Sequence, residues 1–304
     1  MTETWLKPTG RALFRWYLSK FPLRDGKAYF YELWHGRLAP AERYLTARLD
    51  QGFTMKLDLW DPEQLKIYFY GHYHERYEAS LVRRLLERGE VFWDIGANVG
   101  YFSLVAASAL NNHGQVVAFE PGSSAYARLC ENIALNPFTN IKTYEVAVAA
   151  AAGEAVLYLA GDSADSSANL YSPGQGQTRR EVCKTVSLDH FLEEQGLPAP
   201  HLIKMDVEGA EYAALQGARH LIGQHLPLLL MEMEEKNLQA AGADKAAIQQ
   251  FLTGHGYQAA FLYKGRWHAV ADVQEARGRN IFWFHPGLTA HRQKAASLPV
   301  LGNY

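Results

Sequence analysis

The run Asp94-Ile95-Gly96-Ala97-Asn98-Val99-Gly100 has the residue types and spacing of a ligand cradle. An apolar strand that ends on an acid and turns through glycines into a helix builds such a cradle at the carboxyl end of a sheet. Gly96 removes the Cβ where backbone and ligand must come close, and Gly100 does the same at the helix start. The spacing G-x-x-x-G differs from the dinucleotide fingerprint, because Ala97 and Asn98 replace its second tight-turn glycine. That moves the expected ligand from NAD to S-adenosylmethionine. Asp94 suits the methionine ammonium, a charge-assisted contact that a pyrophosphate would not tolerate. Glu120 follows Gly96 by 24 residues, where an acid at the end of the next strand accepts ribose hydroxyls. Its other reading is a charge that complements a helix N-terminus. Tyr101 and Pro121, beside these residues, complete the expected cofactor set.

A second constellation lies downstream. Asp206 and Glu232 each end an apolar run, so both carboxylates are expected at the cofactor mouth, with Glu208 and Glu234 nearby. Methyl transfer from a sulfonium is an in-line displacement, and the protein mostly aligns groups and excludes water. An alcohol acceptor also needs its proton removed, by a general base or by metal coordination. Asp206 and Glu232 are the expected catalytic carboxylates, with Asp206 also touching the cofactor. Oxygen ligands of this kind suit Mg²⁺, which makes the pair weak metal candidates. Capping of the following helix is the competing reading of Asp206 and Glu208. The aromatic run Tyr68 to Glu75 is the third constellation. It is expected to form a lid, with Tyr70, Tyr73 and Glu208 on the acceptor and His72 and His74 as bases active near neutral pH. Packing against neighbouring helices is the plainer alternative. His190, His201 and His220 read as structural.

The elements that must position these residues alternate. Val91 to Ile95, Gln115 to Phe119, Ile141 to Val148, His201 to Met205 and Pro227 to Met231 read as strands, separated by helical stretches. Such alternation argues for a mostly parallel sheet covered on both faces. Two late strands follow, Tyr257 to Tyr263 and Asn280 to Phe284. Before the sheet, Phe53 to Leu59 alternates like a half-buried strand, Asp61-Pro62 reads as a turn, and a helix runs from Glu78 to Arg88. Ser123 or Ser124 is the expected cap of one helix, and residues 161–177 read as a long loop. Residues 1–88 form an N-terminal cap or lid region, and residues 89–304 the S-adenosylmethionine-binding domain.

Composition narrows the partners. The chain has 304 residues, 48% hydrophobic and 20% charged, with a net charge of −2. No overall basic field attracts nucleic acid or an anionic membrane. Cys130 and Cys183 lack CxxC spacing, which fits a reducing, cytoplasmic setting rather than a disulfide framework. The apolar stretch Leu226 to Met231 is far too short to span a bilayer. Near the N-terminus, Trp5, Phe14, Trp16 and Tyr17 alternate with basic residues and lack a signal-peptide core. A helix packed on its own domain is expected there, with a peripheral membrane-binding helix as the alternative. A homodimer stays open.

The sequence resembles the FkbM family of methyltransferases, which act mostly on hydroxyl groups of sugars and natural products. The resemblance rests on Val91 to Ser103, Ala118 to Pro121, Asn132 to Asn136, Val186 to Asp189, Leu202 to Glu211 and Leu215 to Ala218. It implies an α/β fold of the class I methyltransferase (Rossmann-like) type, doubly wound, with seven strands of which the last is antiparallel, beside a small aromatic-rich cap. It also implies O-methylation of a small molecule, natural product or sugar. N-methylation of a small amine and a non-catalytic adenosyl-binding module are the alternatives. No acid follows Val146-Ala147-Val148 to hold adenine, which departs from the usual arrangement.

Overall fold

The computed structural model describes residues 3–21, 26–73, 75–160, 168–170, 178–263 and 266–297. The chain divides into two units, with the division between Arg76 and Tyr77.

The first unit holds α1 (Glu3–Lys20), α2 (Lys27–Leu38), the hairpin β1 (Tyr44–Arg48) and β2 (Thr54–Asp58), and α3 (Pro62–Tyr70). Met55 and Leu57 of β2 are buried, as the alternation requires. The buried carboxylate of Asp58 takes the Arg43 guanidinium at 2.9 Å and the Trp60 N–H at 3.0 Å. Asp61-Pro62 is not the turn its composition suggests. Asp61 caps α3, accepting from the N–H groups of Glu63 and Gln64 at 2.8 and 3.0 Å. Pro62 takes the first helical position, where its missing N–H costs nothing. Gly71, at φ 75°, closes the helix by donating to the Ile67 carbonyl.

The second unit begins at Tyr77, one residue into α4 (Arg76–Leu85), and enters the sheet through β3 (Val91–Ile95), α5 (Tyr101–Leu110), β4 (Gln115–Phe119), α6 (Ser123–Ala134) and β5 (Ile141–Tyr144). A smaller sheet follows, made of β6 (Ala147–Val148), β7 (Gly153–Ala160), β8 (Ala168–Asn169) and β9 (Thr178–Val186). The main sheet resumes with α7 (Leu188–Glu194), β10 (Leu202–Met205), α8 (Glu211–Gln216), α9 (Arg219–His225), β11 (Leu228–Glu232), α10 (Glu235–Ala240) and α11 (Lys245–Gly254). It ends with β12 (Gln258–Tyr263), β13 (Arg266–Val270), β14 (Asn280–Phe284) and α12 (Thr289–Ser297).

The main sheet runs β5-β4-β3-β10-β11-β14-β12-β13. The strands from β5 to β11 pair parallel, and β14 is antiparallel to both β11 and β12. This is the implied class I methyltransferase order, with β13 added as an eighth strand on the edge of β12. The stretch expected as one strand from Ile141 to Val148 divides instead, because Ala147 and Val148 leave the main sheet to pair with β9. Most of the loop at 161–177 lies outside the described residues. Trp93, Ile95, Val117, Phe119, Ile203 and Met205 fill a core on one face of the sheet. On the other face Ala118 packs with Ala97 and Leu129. No helix among the described residues is long and apolar enough to cross a membrane.

Candidate active site

The carboxyl ends of β3, β4, β10 and β11 carry the site. Beyond β3 the chain reverses through Gly96, Asn98 and Gly100, all at positive φ. Gly96 and Ala97 donate to the Phe119 carbonyl at 3.0 and 2.9 Å, which anchors the loop to β4. A Cβ on Gly96 would collide with the Asp206 carbonyl, so the loops after β3 and β10 touch here. Gly100 is required by packing as well as by φ. A Cβ there would lie 2.6 Å from Cδ1 of Leu129 on α6. Asn132, also on α6, donates to the Val99 carbonyl at 2.8 Å.

Asp94 is buried, and its Oδ2 accepts from the Ser103 hydroxyl of α5 at 2.6 Å. Its Oδ1 is buried with no hydrogen-bond partner. Burial raises its pKa, with Lys204 opposing and Asp206 adding to the rise. Glu120, also buried, grips backbone on both sides: Oε2 accepts from Asn98 N–H at 2.8 Å and Oε1 from Gly122 N–H at 2.9 Å. Helix α6 is thus not capped by Ser123 or Ser124. Its cap residue is Gly122, without a side-chain cap, and the Ser123 N–H donates to Glu181 at 3.0 Å. Tyr101 is buried at the start of α5, and Pro121 is half-buried after β4.

Lys204 is the site residue that carried no expected role. The register pairs it with Asp94 on β3, and its Nζ lies 2.8 Å from Oδ2 of Asp206 and 4.6 Å from the Phe102 ring centroid. Its signal in the sequence is period two: a lysine two residues before Asp206, inside an apolar strand, shares the carboxylate's face.

Asp206 and Glu232 are brought together, as the strand ends imply. Burial pushes the Asp206 pKa up, but Lys204, a hydrogen bond with Glu232 and Arg279 outweigh it and hold the group ionised. Burial and the Asp206 charge push Glu232 the other way, so it holds a proton. Arg279, just before β14, reaches Glu232 at 3.0 Å and Glu234 at 3.8 Å. Glu208 sits at φ 51°, in a region that costs an ordinary residue strain. Its carboxylate accepts from Asn237 Nδ2 at 2.6 Å, and burial with the Asp206 charge raises its pKa to about 7.

Neither Asp206 nor Glu208 caps α8. Its N-cap is Ala210, with no side-chain cap, and Glu211 holds the turn instead, accepting from Val207 N–H at 3.2 Å and Gly209 N–H at 3.3 Å. Asp206, Glu208 and Glu232 can place one oxygen each within 4.8 Å of one another. Lys204 already contacts Asp206, and Arg279 contacts Glu232. The set as arranged does not fit a divalent cation.

The expected lid residues lie in the first unit. Tyr70 packs on Tyr31, with ring centroids 5.5 Å apart. His72 Nδ1 bonds the Tyr73 carbonyl at 2.8 Å, and burial lowers its pKa. His74 lies outside the described residues. His201 Nδ1 accepts from the Val91 N–H at 3.1 Å, a structural contact at the start of β3.

Residues 94–259 match the family model described as the methyltransferase FkbM domain. Over 181 residues the chain is 28% identical to the hexuronic acid methyltransferase AglP of Haloferax volcanii, which covers 59% of this chain and 69% of that protein. It is 27% identical over 205 residues to the AMB antimetabolite synthetase AmbE of Pseudomonas aeruginosa, covering 55% of this chain and 9% of the synthetase. A solved FkbM methyltransferase from Methylobacillus flagellatus is 19% identical, with a TM-score of 0.45, over 73% of this chain and 52% of that one. The chain thus spans about half the length of that solved protein and a small part of the synthetase.

Proposed function

Since this chain belongs to the FkbM family of S-adenosylmethionine-dependent methyltransferases, we propose that it methylates a hydroxyl group of a sugar or a related small molecule. The observation that carries the proposal is the pair of carboxylates at the strand ends, Asp206 with Lys204 at 2.8 Å and Glu232 with Arg279 at 3.0 Å, beside Asp94 in register with Lys204. The hexuronic acid in the name of AglP makes a hydroxyl of a sugar acid the first acceptor to try. Two free cysteines suit a cytoplasmic site of action.

The cradle fits the methyl donor. Asp94 offers a buried, unpartnered Oδ1 to an ammonium, and Glu120, at the end of β4, is assigned to the ribose hydroxyls. Gly96, Ala97, Asn98, Gly100, Tyr101 and Pro121 form the wall around them. S-adenosylmethionine supplies an electrophilic methyl group when bound. Asp206 takes the acceptor hydroxyl proton, and a positioned base of this kind contributes roughly 10²–10⁴-fold. Glu232 donates to Asp206 and orients it, while Lys204 keeps it ionised. Glu208 is assigned to the acceptor.

Calorimetry with S-adenosylhomocysteine, followed by methyl transfer to hexuronic acids, neutral sugars and small amines, tests the reading. Binding of the product with transfer to a sugar hydroxyl is expected. Transfer to amines alone would overturn the hydroxyl acceptor, binding without transfer would favour a non-catalytic adenosyl-binding module, and absence of binding would overturn the methyltransferase reading. An Asp206→Asn variant that keeps full activity would overturn Asp206 as the base.

A further inference from the structure

The net charge of −2 conceals an uneven distribution. Between residues 3 and 38 there are seven Lys and Arg against three Asp and Glu. The helices α1 and α2 in the same stretch turn large apolar side chains to solvent. Leu13 and Trp16 are 63% and 54% exposed, and Tyr29, Phe30, Leu33 and Trp34 are exposed on α2. Contiguous exposed apolar surface on this scale marks a binding face rather than scattered surface residues.

The two helices share one surface. Trp16 meets Phe21, Phe21 meets Tyr17, Tyr17 meets Phe30 and Phe30 meets Tyr29, with ring centroids 5.6, 5.5, 5.7 and 5.9 Å apart. Basic groups lie within this belt. Arg37 stands over the Trp34 ring at 5.6 Å, and Lys27 over Tyr17 at 6.0 Å. Arg11 and Arg15 donate to the main-chain oxygens of Leu38 and Tyr68, and Lys20 pairs with Asp50 at 2.7 Å.

We propose that this face of α1 and α2 docks on an anionic phospholipid surface. Tryptophan and tyrosine partition to the headgroup boundary, where the ring is apolar and its edge polar. Helices that lie in the interface combine such residues with Lys and Arg, and no described helix is built to cross the bilayer. A second copy of the chain is the poorer occupant. A two-fold dimer would set the same basic patch against itself, whereas anionic headgroups complement it.

Co-sedimentation of the full chain with vesicles tests this. Binding is expected to phosphatidylcholine mixed with phosphatidylglycerol and not to phosphatidylcholine alone, with loss of binding as salt is raised to about 1 M. A Trp16→Ala/Trp34→Ala variant should bind roughly tenfold more weakly, and Arg37→Gln should weaken binding to the mixed vesicles. Both variants should keep their circular dichroism and their affinity for S-adenosylhomocysteine. Failure to bind either vesicle would overturn the proposal, as would binding indifferent to salt. A dimer in sedimentation velocity that the double substitution dissociates, without vesicle binding, would give the face to a second copy instead.

Discussion

Nζ of Lys204 stands 2.8 Å from Oδ2 of Asp206, two residues along the same buried face, and the register sets the same lysine beside Asp94. One cation thus serves two carboxylates on neighbouring strands. Lys204→Met is expected to destabilise the fold by about 3 kcal/mol, because it leaves buried carboxylates without a counter-charge. It should also abolish methyl transfer. Urea unfolding of the variant beside the parent measures the first effect, and a loss below 1 kcal/mol would contradict it.

Asp94→Asn separates binding from stability. The buried Oδ1 has no partner, and an unpaired buried polar atom costs about 1–3 kcal/mol. The variant should therefore unfold no more easily than the parent while its affinity for S-adenosylhomocysteine falls at least about tenfold, through loss of a charge-assisted contact. Calorimetry and thermal melting on the same samples distinguish the two effects.

Glu208 should make stability fall as pH rises. Its folded-state pKa of about 7 lies above the ordinary 4.5, so the folded state holds the proton more tightly than the unfolded one. Its contribution is complete below about pH 4.5 and is lost as pH climbs through about 7. Glu208→Gln should be more stable than the parent by about 1–2 kcal/mol at pH 8, after allowing for partial solvent screening, and equal to it at pH 4. Parallel melting curves for parent and variant from pH 4 to pH 8 would refute this.

The two loop glycines should differ when replaced by alanine. At Gly96 the added methyl meets the Asp206 backbone, which cannot step aside; at Gly100 it meets the end of the Leu129 side chain. Gly96→Ala should prevent stable folding. Gly100→Ala should lose about 1–2 kcal/mol to its positive φ, plus an overlap that Leu129→Ala relieves. A double-mutant cycle in urea reads the coupling, and additive losses would show that the contact is unimportant.

Chelation should leave activity intact. Lys204 and Arg279 already contact Asp206 and Glu232, where Mg²⁺ would have to bind. Loss of transfer with EDTA, restored by Mg²⁺, would reassign the acids as ligands.

The cofactor loop was legible because its chemistry is local: acid, glycines and helix start occupy seven consecutive residues, and Glu120 ends the next strand. Non-local facts were hidden. The role of Lys204 depends on which strand lies beside β10, and that of Arg279 on β14 inserting next to β11. Several family residues turned out to hold backbone, which sequence spacing does not distinguish from holding ligand. Asn132 secures Val99, Glu211 the turn after Asp206, and Asp189 the N–H groups of His220 and Leu221. Asp61-Pro62 misled for a different reason, since the same dipeptide suits a turn and a helix start, and only the capping bonds decide.

The insertion of β14 between β11 and β12 also governs how the molecule can be made. Asn280–Phe284 is synthesised after every parallel strand, and until it arrives β11 keeps an unpaired edge of Leu229, Leu230 and Met231. A fragment cut to the matched stretch 94–259 would retain that sticky apolar margin, a template for aggregation. A ribosome carrying a chain short of residue 279 therefore displays an unfinished sheet that also lacks Arg279. Completion of the barrier against self-association and delivery of this guanidinium to Glu232 happen in the same late stretch of translation.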